Sequence, residues 1–314
     1  MYEIYINEPD AIQTGKSPHI ASKLAISIPI LVKNVNYRIL FTSTFLNVNT
    51  KCIIYSMKQK TPPKITVITP SYNQGHFITE TIDSVLSQNY PNLEYIVMDG
   101  GSTDDTVDIL KSYGKKFTWV SKKDNGQTDA INKGIKKSTG DIICYLNSDD
   151  VFLPNTLNTV AEFFMQNPDA MWVTGDYFII DADGNKIQSF VAEYKKWLRQ
   201  NPSKQRLSIA NYIIQPSTFW RKELTQEIGL FNEDLHYCMD FDYWMRAIEK
   251  YPLHVLPSHF SLFRIHGNSK GGALYEKQFN EEHELVVKYV KSPLTRFIHK
   301  LHATGIVLAY KLIK

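Results

Sequence analysis

Ile142-Ile143-Cys144-Tyr145-Leu146-Asn147-Ser148-Asp149-Asp150 is an apolar run that ends abruptly in a polar, acidic cluster. A short run of this kind, with no alternation, suits a strand covered on both faces, as in a parallel sheet. Two adjacent carboxylates at the end of a buried strand are costly unless a cation sits beside them. Oxygen donors of this type suit a hard ion such as Mg²⁺ or Mn²⁺, often shared with a substrate phosphate. The competing reading is an acidic loop that caps the next helix, because Asp is also a good N-cap.

Working upstream, Ile65-Thr66-Val67-Ile68-Thr69 is a β-branched strand stopped by Pro70-Ser71-Tyr72-Asn73-Gln74-Gly75. Ile78, Ile82, Val85 and Leu86 then recur at helical spacing. A second strand is predicted from Leu93 to Met98, ending in Asp99-Gly100-Gly101-Ser102-Thr103-Asp104-Asp105, with a helix to about Tyr113. A third short strand at Phe117 to Val120 leads into Asp124-Asn125-Gly126 and a helix from about Asp129 to Lys137. This alternation predicts an α/β unit with a mostly parallel sheet. Ligands in such sheets bind beyond the carboxyl ends of the strands. The polar clusters at Pro70–Asn73, Asp99 and Asn147–Asp150 all fall there, which favours the ligand reading.

Downstream, a helix is predicted over 154–167 and a strand over 171–174. A hairpin follows, with strands at 177–181 and 186–191 turning through Ala182-Asp183-Gly184-Asn185, where Asp-Gly is the turn signal. Residues from about Lys195 to Ala210 read as a mobile loop or short helices. Tyr243, Trp244, Ala247 and Met239 form an apolar helix stripe with Asp240 at its start. Arg264, His266 and Lys270 lie in a glycine-rich loop. From about Tyr275 the chain reads as a helical tail whose last part is amphipathic and basic. Residues 1–62 contain β-leaning pieces at 37–42 and 52–55 and end at Pro62-Pro63, a plausible boundary. The expected organisation is therefore an extension over 1–62, a main domain over 63–272 and a tail over 273–314.

With 314 residues the chain can bury a sizeable core, and its 43% hydrophobic and 21% charged residues are ordinary for a globular protein. A net charge of +3, with the cations dispersed, gives no support for nucleic acid as a partner. Cys52, Cys144 and Cys238 have no paired spacing, which disfavours a zinc site or a disulfide framework and fits buried thiols in a reducing, cytoplasmic setting. No secretory signal is evident, and the apolar run from Leu24 to Val32 is too short to span a bilayer. There is no G-x-G-x-x-G after a strand and no P-loop.

Pro70-Ser71-Tyr72-Asn73, Ser84-Val85-Leu86-Ser87-Gln88, Val97-Met98-Asp99-Gly100-Gly101-Ser102-Thr103-Asp104 and Asn147-Ser148-Asp149-Asp150 together resemble the family 2 glycosyltransferases of GT-A fold. Gln215-Pro216-Ser217-Thr218-Phe219-Trp220 and Met239-Asp240-Phe241-Asp242-Tyr243-Trp244-Met245-Arg246 extend the resemblance, which covers roughly Lys64 to Lys270. It implies a GT-A, Rossmann-like mixed and mostly parallel sheet flanked by helices. It also implies inverting transfer of a sugar from a UDP- or GDP-sugar to an acceptor hydroxyl on a saccharide or glycolipid, in surface polysaccharide or glycolipid assembly.

By the same resemblance Asp99 binds the base, while Pro70, Ser71, Tyr72 and Asn73 shape the nucleoside pocket and Asp129 and Lys133 lie near it. Asn147 and Ser148 border the diphosphate, and Asp149 matches the last acid of the family's D-x-D metal motif for Mg²⁺ or Mn²⁺. Asn147 stands where that motif has its first acid, and Met239 stands where the family often has Glu. Asp240 corresponds to the general base, with Asp242 the competing carboxylate.

Several residues carry two readings. Asp150 caps the next helix or touches the ion. His266 is a metal or diphosphate ligand, or a solvated loop histidine. His236 packs or meets the acceptor. Trp172, Trp220 and Trp244 stack on ligand or fill the core, and Asp129 and Lys133 are also readable as exposed helix charges. The basic tail rests on an anionic membrane surface or covers the domain. A catalytically silent nucleotide-sugar-binding relative is the alternative to the enzyme, and a nucleotidyltransferase lacks its glycine- and arginine-rich opening loop.

Overall fold

In residues 1–61, one of the two units into which the chain divides, β1 (Leu24–Val32), β2 (Val35–Ser43) and β3 (Lys51–Ser56) form an antiparallel sheet in that order. Leu24 stands opposite Ser43, and Tyr37 opposite Ser56. The computed structural model describes residues 24–32, 35–43, 51–56, 61–267 and 275–313, with side chains over 61–267 and 276–308. Cys52 and Lys270 therefore lie outside the described side chains.

The second unit, 62–314, starts with β4 (Ile65–Ser71), every residue of which is buried. The elements that follow are α1 (Gly75–Leu86), β5 (Leu93–Asp99), α2 (Thr106–Ser112), β6 (Thr118–Ser121), α3 (Gln127–Lys137) and β7 (Ile142–Tyr145). β6, β5, β4 and β7 lie side by side in that order, all parallel. The β-branched strands bury both faces because α1 and α3 cover them: Ile78, Ile82 and Val85 point inward from α1, and Ile131 and Ile135 from α3. Gly134 lets α3 approach closely, since a Cβ there would lie 2.5 Å from Ile68 Cγ2.

After β8 (Val151–Phe152) and α4 (Thr156–Gln166), β9 (Trp172–Ile180) runs as one nine-residue strand. The sequence suggests two pieces interrupted at Gly175-Asp176, but tertiary contacts carry the strand through. A Cβ at Gly175 would lie 2.3 Å from the Phe260 ring, and Asp176 is ion-paired with buried Arg199. β10 (Lys186–Ile187) closes the expected hairpin and is shorter than the 186–191 strand read from the sequence. Helix α5 (Ser189–Arg199) begins there instead, because it buries Leu198 and delivers Arg199 to Asp176.

The remaining elements are α6 (Lys204–Leu207), β11 (Thr218–Arg221), α7 (Lys222–Ile228), α8 (Met239–Lys250), β12 (His254–Arg264), α9 (Tyr275–Tyr289) and α10 (Pro293–Ile313). β11 is antiparallel to both β7 and β9, and β12 is parallel to β9 and antiparallel to β8, which makes the sheet mixed. Trp172, Trp220 and Trp244 are all fully buried, with Trp172 and Trp244 stacked at 5.6 Å, so the tryptophans fill the core. Cys144 and Cys238 are buried free thiols.

Candidate active site

A cleft of about 720 Å³ opens where β4, β5 and β7 end, beside the first turn of α8 and the end of β12. Pro70, Ser71, Tyr72, Asn147, Ser148, Asp149, Asp240 and His266 line it. Asn73, Asp99, Asp129 and Lys133 are absent from that lining. The volume is in the range of a cofactor-sized ligand.

The end of β7 is organised by Arg264, which is buried in β12. Its main-chain N–H donates to Asp150 Oδ1 at 2.9 Å and its Nε donates to the Asp149 carbonyl at 2.9 Å. Asp150 is fully buried and also accepts from Asn147 Nδ2 at 3.1 Å. Burial, with the Asp149 carboxylate beside it, pushes Asp150 well above the usual carboxylate range. Asn155 precedes α4, so Asp150 neither caps that helix nor reaches the cleft; it anchors the turn.

Asn147 is held through every arm of its amide. Nδ2 donates to Asp150 and to Gln215 Oε1 at 3.1 Å each, and Oδ1 accepts from Gln127 Nε2 at 2.8 Å. A carboxylate at this position would lose both donated bonds and add charge beside Asp149 and Asp150. The departure from the acidic motif thus has a local physical cause.

Asp149 and His266 meet across the turn, with Oδ2 and Nε2 3.1 Å apart. Phe77 packs against the His266 ring at 4.7 Å and so fixes its orientation. Among the described residues no group of three or more His, Cys, Asp or Glu is placed to hold a metal ion. The Asp149 carboxylate oxygen suits Mn²⁺ or Mg²⁺ together with diphosphate oxygens, with the His266 imidazole the less typical donor for such an ion. The two side chains are hydrogen-bonded to each other, so an ion held between them would replace that contact, with diphosphate oxygens completing its shell.

Asp99 is 2% exposed and works beneath the cleft floor. It accepts from the N–H groups of Gly101 and Ser102 at 3.1 and 3.0 Å, from the Ser102 hydroxyl, and from Ser121 Oγ at 2.6 Å. These bonds hold the Gly100-Gly101 turn, in which Gly101 has φ +85°. A Cβ on Gly100 would lie 2.8 Å from Asp124 Oδ2, so glycine lets Asp124 reach the cleft wall. Asn73 braces the same turn, receiving Thr103 N–H at 2.8 Å and donating its own N–H to Ser102 Oγ at 2.8 Å. Asp129 accepts from Lys133 Nζ at 2.7 Å and from Asn125 N–H at 2.9 Å; the Lys133 ammonium holds it below the usual carboxylate range.

The two acids at the start of α8 have separate surroundings. Asp240 is half-buried on the cleft wall at the positive end of the helix dipole. Asp242 is 2% exposed and tied to Arg246, Lys288 and Tyr289, away from the cleft. Met239 is buried beside Asp240, its sulfur accepting from Thr128 Oγ1. The loop before α8 is held from the tail: Glu281 accepts from the N–H groups of His236, Tyr237 and Cys238 at 2.9, 2.7 and 2.6 Å.

Lys123, Asp124, Gln127 and Gln278 also line the cleft without being singled out in the sequence, as does Gln215, the first residue of a motif of the family resemblance. Asp124 follows the third parallel strand, the same signal that marked Asp99 and Asp149. Gln127 and Gln278 have no local signal, because long-range packing brings them in.

The protein family described as glycosyl transferase family 2 matches residues 66–229. An uncharacterized glycosyltransferase of Rickettsia typhi is 33% identical over 206 residues, covering 61% of this chain and 61% of that protein. Staphylococcal (S. aureus) TarS in complex with UDP-GlcNAc superposes with a TM-score of 0.58 at 19% identity, over 78% of this chain and 71% of that one. The mannosyltransferase PcManGT from Pyrobaculum calidifontis, in complex with GDP-Man and Mn²⁺, gives 0.58 at 18% identity, over 77% and 70%. These likenesses establish the GT-A fold. The chain spans between 37% and 61% of the length of the first curated relatives it matches.

Proposed function

The chain belongs to glycosyl transferase family 2, and on that premise we propose that it transfers a sugar from a UDP- or GDP-sugar to an acceptor hydroxyl with inversion. One observation carries this reading: a single cleft is lined both by the hydrogen-bonded pair Asp149 and His266, which in this reading would hold the ion, and by a separate carboxylate, Asp240.

In this reading Asp240 takes the proton of the acceptor hydroxyl as that oxygen bonds to the anomeric carbon. The bond from that carbon to the diphosphate oxygen breaks on the opposite face, which inverts the centre. A positioned base contributes roughly 10²–10⁴-fold. When bound by Asp149 and His266, Mg²⁺ or Mn²⁺ would offset the charge developing on the leaving diphosphate. Pro70, Ser71, Tyr72 and Asn73 shape the nucleoside end together with the turn that Asp99 holds. Asp129 and Lys133 support it by fixing the segment that carries Asp124, while Asn147 and Ser148 border the diphosphate. The acceptor is a saccharide or glycolipid in surface polysaccharide or glycolipid assembly, and the unpaired cysteine spacing fits a cytoplasmic site of action.

A panel of UDP- and GDP-sugars with Mn²⁺, read by ligand binding and by slow hydrolysis, tests the reading. Binding or hydrolysis of one donor, reduced to background turnover in Asp240→Asn, supports it. If no donor binds or is hydrolysed and Asp240→Asn behaves as the parent, it fails.

A further inference from the structure

The solvent face of α10 is apolar, and the face it turns inward carries polar groups. Thr295, His299 and Ala303 are buried, with His299 Nδ1 at 3.2 Å from the Ile209 carbonyl and its ring stacked on His283. Leu294, Phe297, Leu301 and Leu308 point outward, with Phe297 and Leu301 each 64% exposed. The stripe does not end with the helix. Tyr194 of α5 stacks on His302 and bonds its Nε2 at 2.9 Å, bringing Phe190 and Trp197, 57% exposed, to the same surface. A helix that merely covers its domain would bury these side chains and present polar ones.

Charge indicates what meets this face. Residues 285–314 contain Lys288, Lys291, Arg296, Lys300, Lys311 and Lys314 and no acid, in a chain whose net charge is only +3; Lys288 pairs with Asp242, and Arg296 donates to the Val287 and Val290 carbonyls. Lys291 and Lys300 are exposed, and Arg206 lies 5.8 Å above the Trp197 ring. Glu193 is an exposed acid on α5. No helix among the described residues is long and apolar enough to cross a membrane, so the pattern is that of a helix lying in an interface. We propose that the outward faces of α5 and α10 form a docking surface for an anionic lipid bilayer. The neighbouring helix α9 lends Gln278 to the cleft and Glu281 to the loop before Asp240, so docking brings that helical pair, and the cleft it borders, to the lipid surface.

The test uses the full chain, without donor or acceptor, so that its outcome is independent of the transfer reaction. Flotation is compared on vesicles of phosphatidylcholine alone and of phosphatidylcholine with phosphatidylglycerol. The chain is expected to float with the anionic vesicles and to be released by salt. Trp197 emission should shift to the blue, a shift lost in Trp197→Phe. The double variant Phe297→Glu with Leu301→Glu should bind at least tenfold more weakly. Lys291→Gln with Lys300→Gln should lose roughly fivefold per lysine, about 1 kcal/mol each. All of these positions are exposed, and thermal melts matching the parent confirm folding; the lysine pair serves if the acidic pair does not fold. The proposal is overturned by failure to float, by equal flotation on both vesicles, or by indifference to both variant pairs. Light scattering that shows a dimer dissociated by the Phe297/Leu301 variant would also overturn it, in favour of a second copy of the chain.

Discussion

Glu281 of α9 accepts from Cys238 N–H at 2.6 Å, and through the same carboxylate from the N–H groups of His236 and Tyr237. The tail thereby holds the segment that leads into Asp240. Charge-assisted bonds of this kind are worth about 1.5–3 kcal/mol each when measured singly, and they are not additive. Glu281→Ala is expected to lower stability by about 2 kcal/mol or more in urea titration and to raise hydrogen exchange at residues 236–238. Unchanged exchange there would show that the loop holds itself.

Asp240 and Asp242 should respond in different ways. Asp240→Asn is expected to lower kcat by about 10²–10⁴-fold with little change in Tm. Asp242→Asn should lower stability by about 2 kcal/mol, because it weakens the contacts to Arg246 and Tyr289. The folded fraction of that variant should retain turnover. Parallel melts and initial rates on both variants separate the two roles.

His266→Ala and Asp149→Asn should each weaken Mn²⁺ binding in the presence of UDP by at least about tenfold, as judged from losses at metal sites. Titration calorimetry measures this directly. A chelator should abolish donor hydrolysis by the parent chain, and added Mn²⁺ should restore it.

Asn147→Asp would place a third carboxylate beside Asp149 and Asp150 and remove the bonds donated to Asp150 and Gln215. The expected cost is about 2 kcal/mol. Mn²⁺ should recover part of that loss, visible as a larger metal-induced rise in Tm than the parent shows.

The docking of α10 should be acid-sensitive. Burial pushes His299 down to about 4 from an ordinary value of 6.5. The unfolded chain binds this proton near pH 6.5 and the folded chain only near 4. Stability is therefore full above pH 6.5 and is lost as pH falls towards 4. The loss approaches about 3 kcal/mol. His299→Gln should flatten this decline, measured as urea midpoints between pH 7 and pH 4.

The parallel half of the sheet was legible because β4, β5 and β7 are local β-branched or apolar runs bounded by turn residues. Asp149 was legible as a cleft residue because it follows the end of such a strand, whereas Asp240, in the first turn of α8, was marked only by the family resemblance. The second half was less so. β9 looks broken at Gly175-Asp176 until Phe260 and Arg199 are in place, and the first residues of α5, Ser189–Val191, read as strand because the contacts that fix the helix, burial of Leu198 and the Arg199–Asp176 ion pair, lie at its other end.

By itself the sequence determined the strand–helix alternation, the position of the cleft at the carboxyl ends of the strands and the acids that gather there. The tertiary structure decided where each acid stands and what it bonds to. Asp99, Asp149, Asp150, Asp240 and Asp242 are chemically alike on paper. Asp99 and Asp150 are consumed by buried turns and Asp242 by Arg246, Lys288 and Tyr289, which leaves Asp149 and Asp240 on the cleft wall. The physical reason is that a carboxylate's role depends on burial and on its donors. Those donors come from residues such as Arg264 and Glu281, far away in the chain, which only folding brings near.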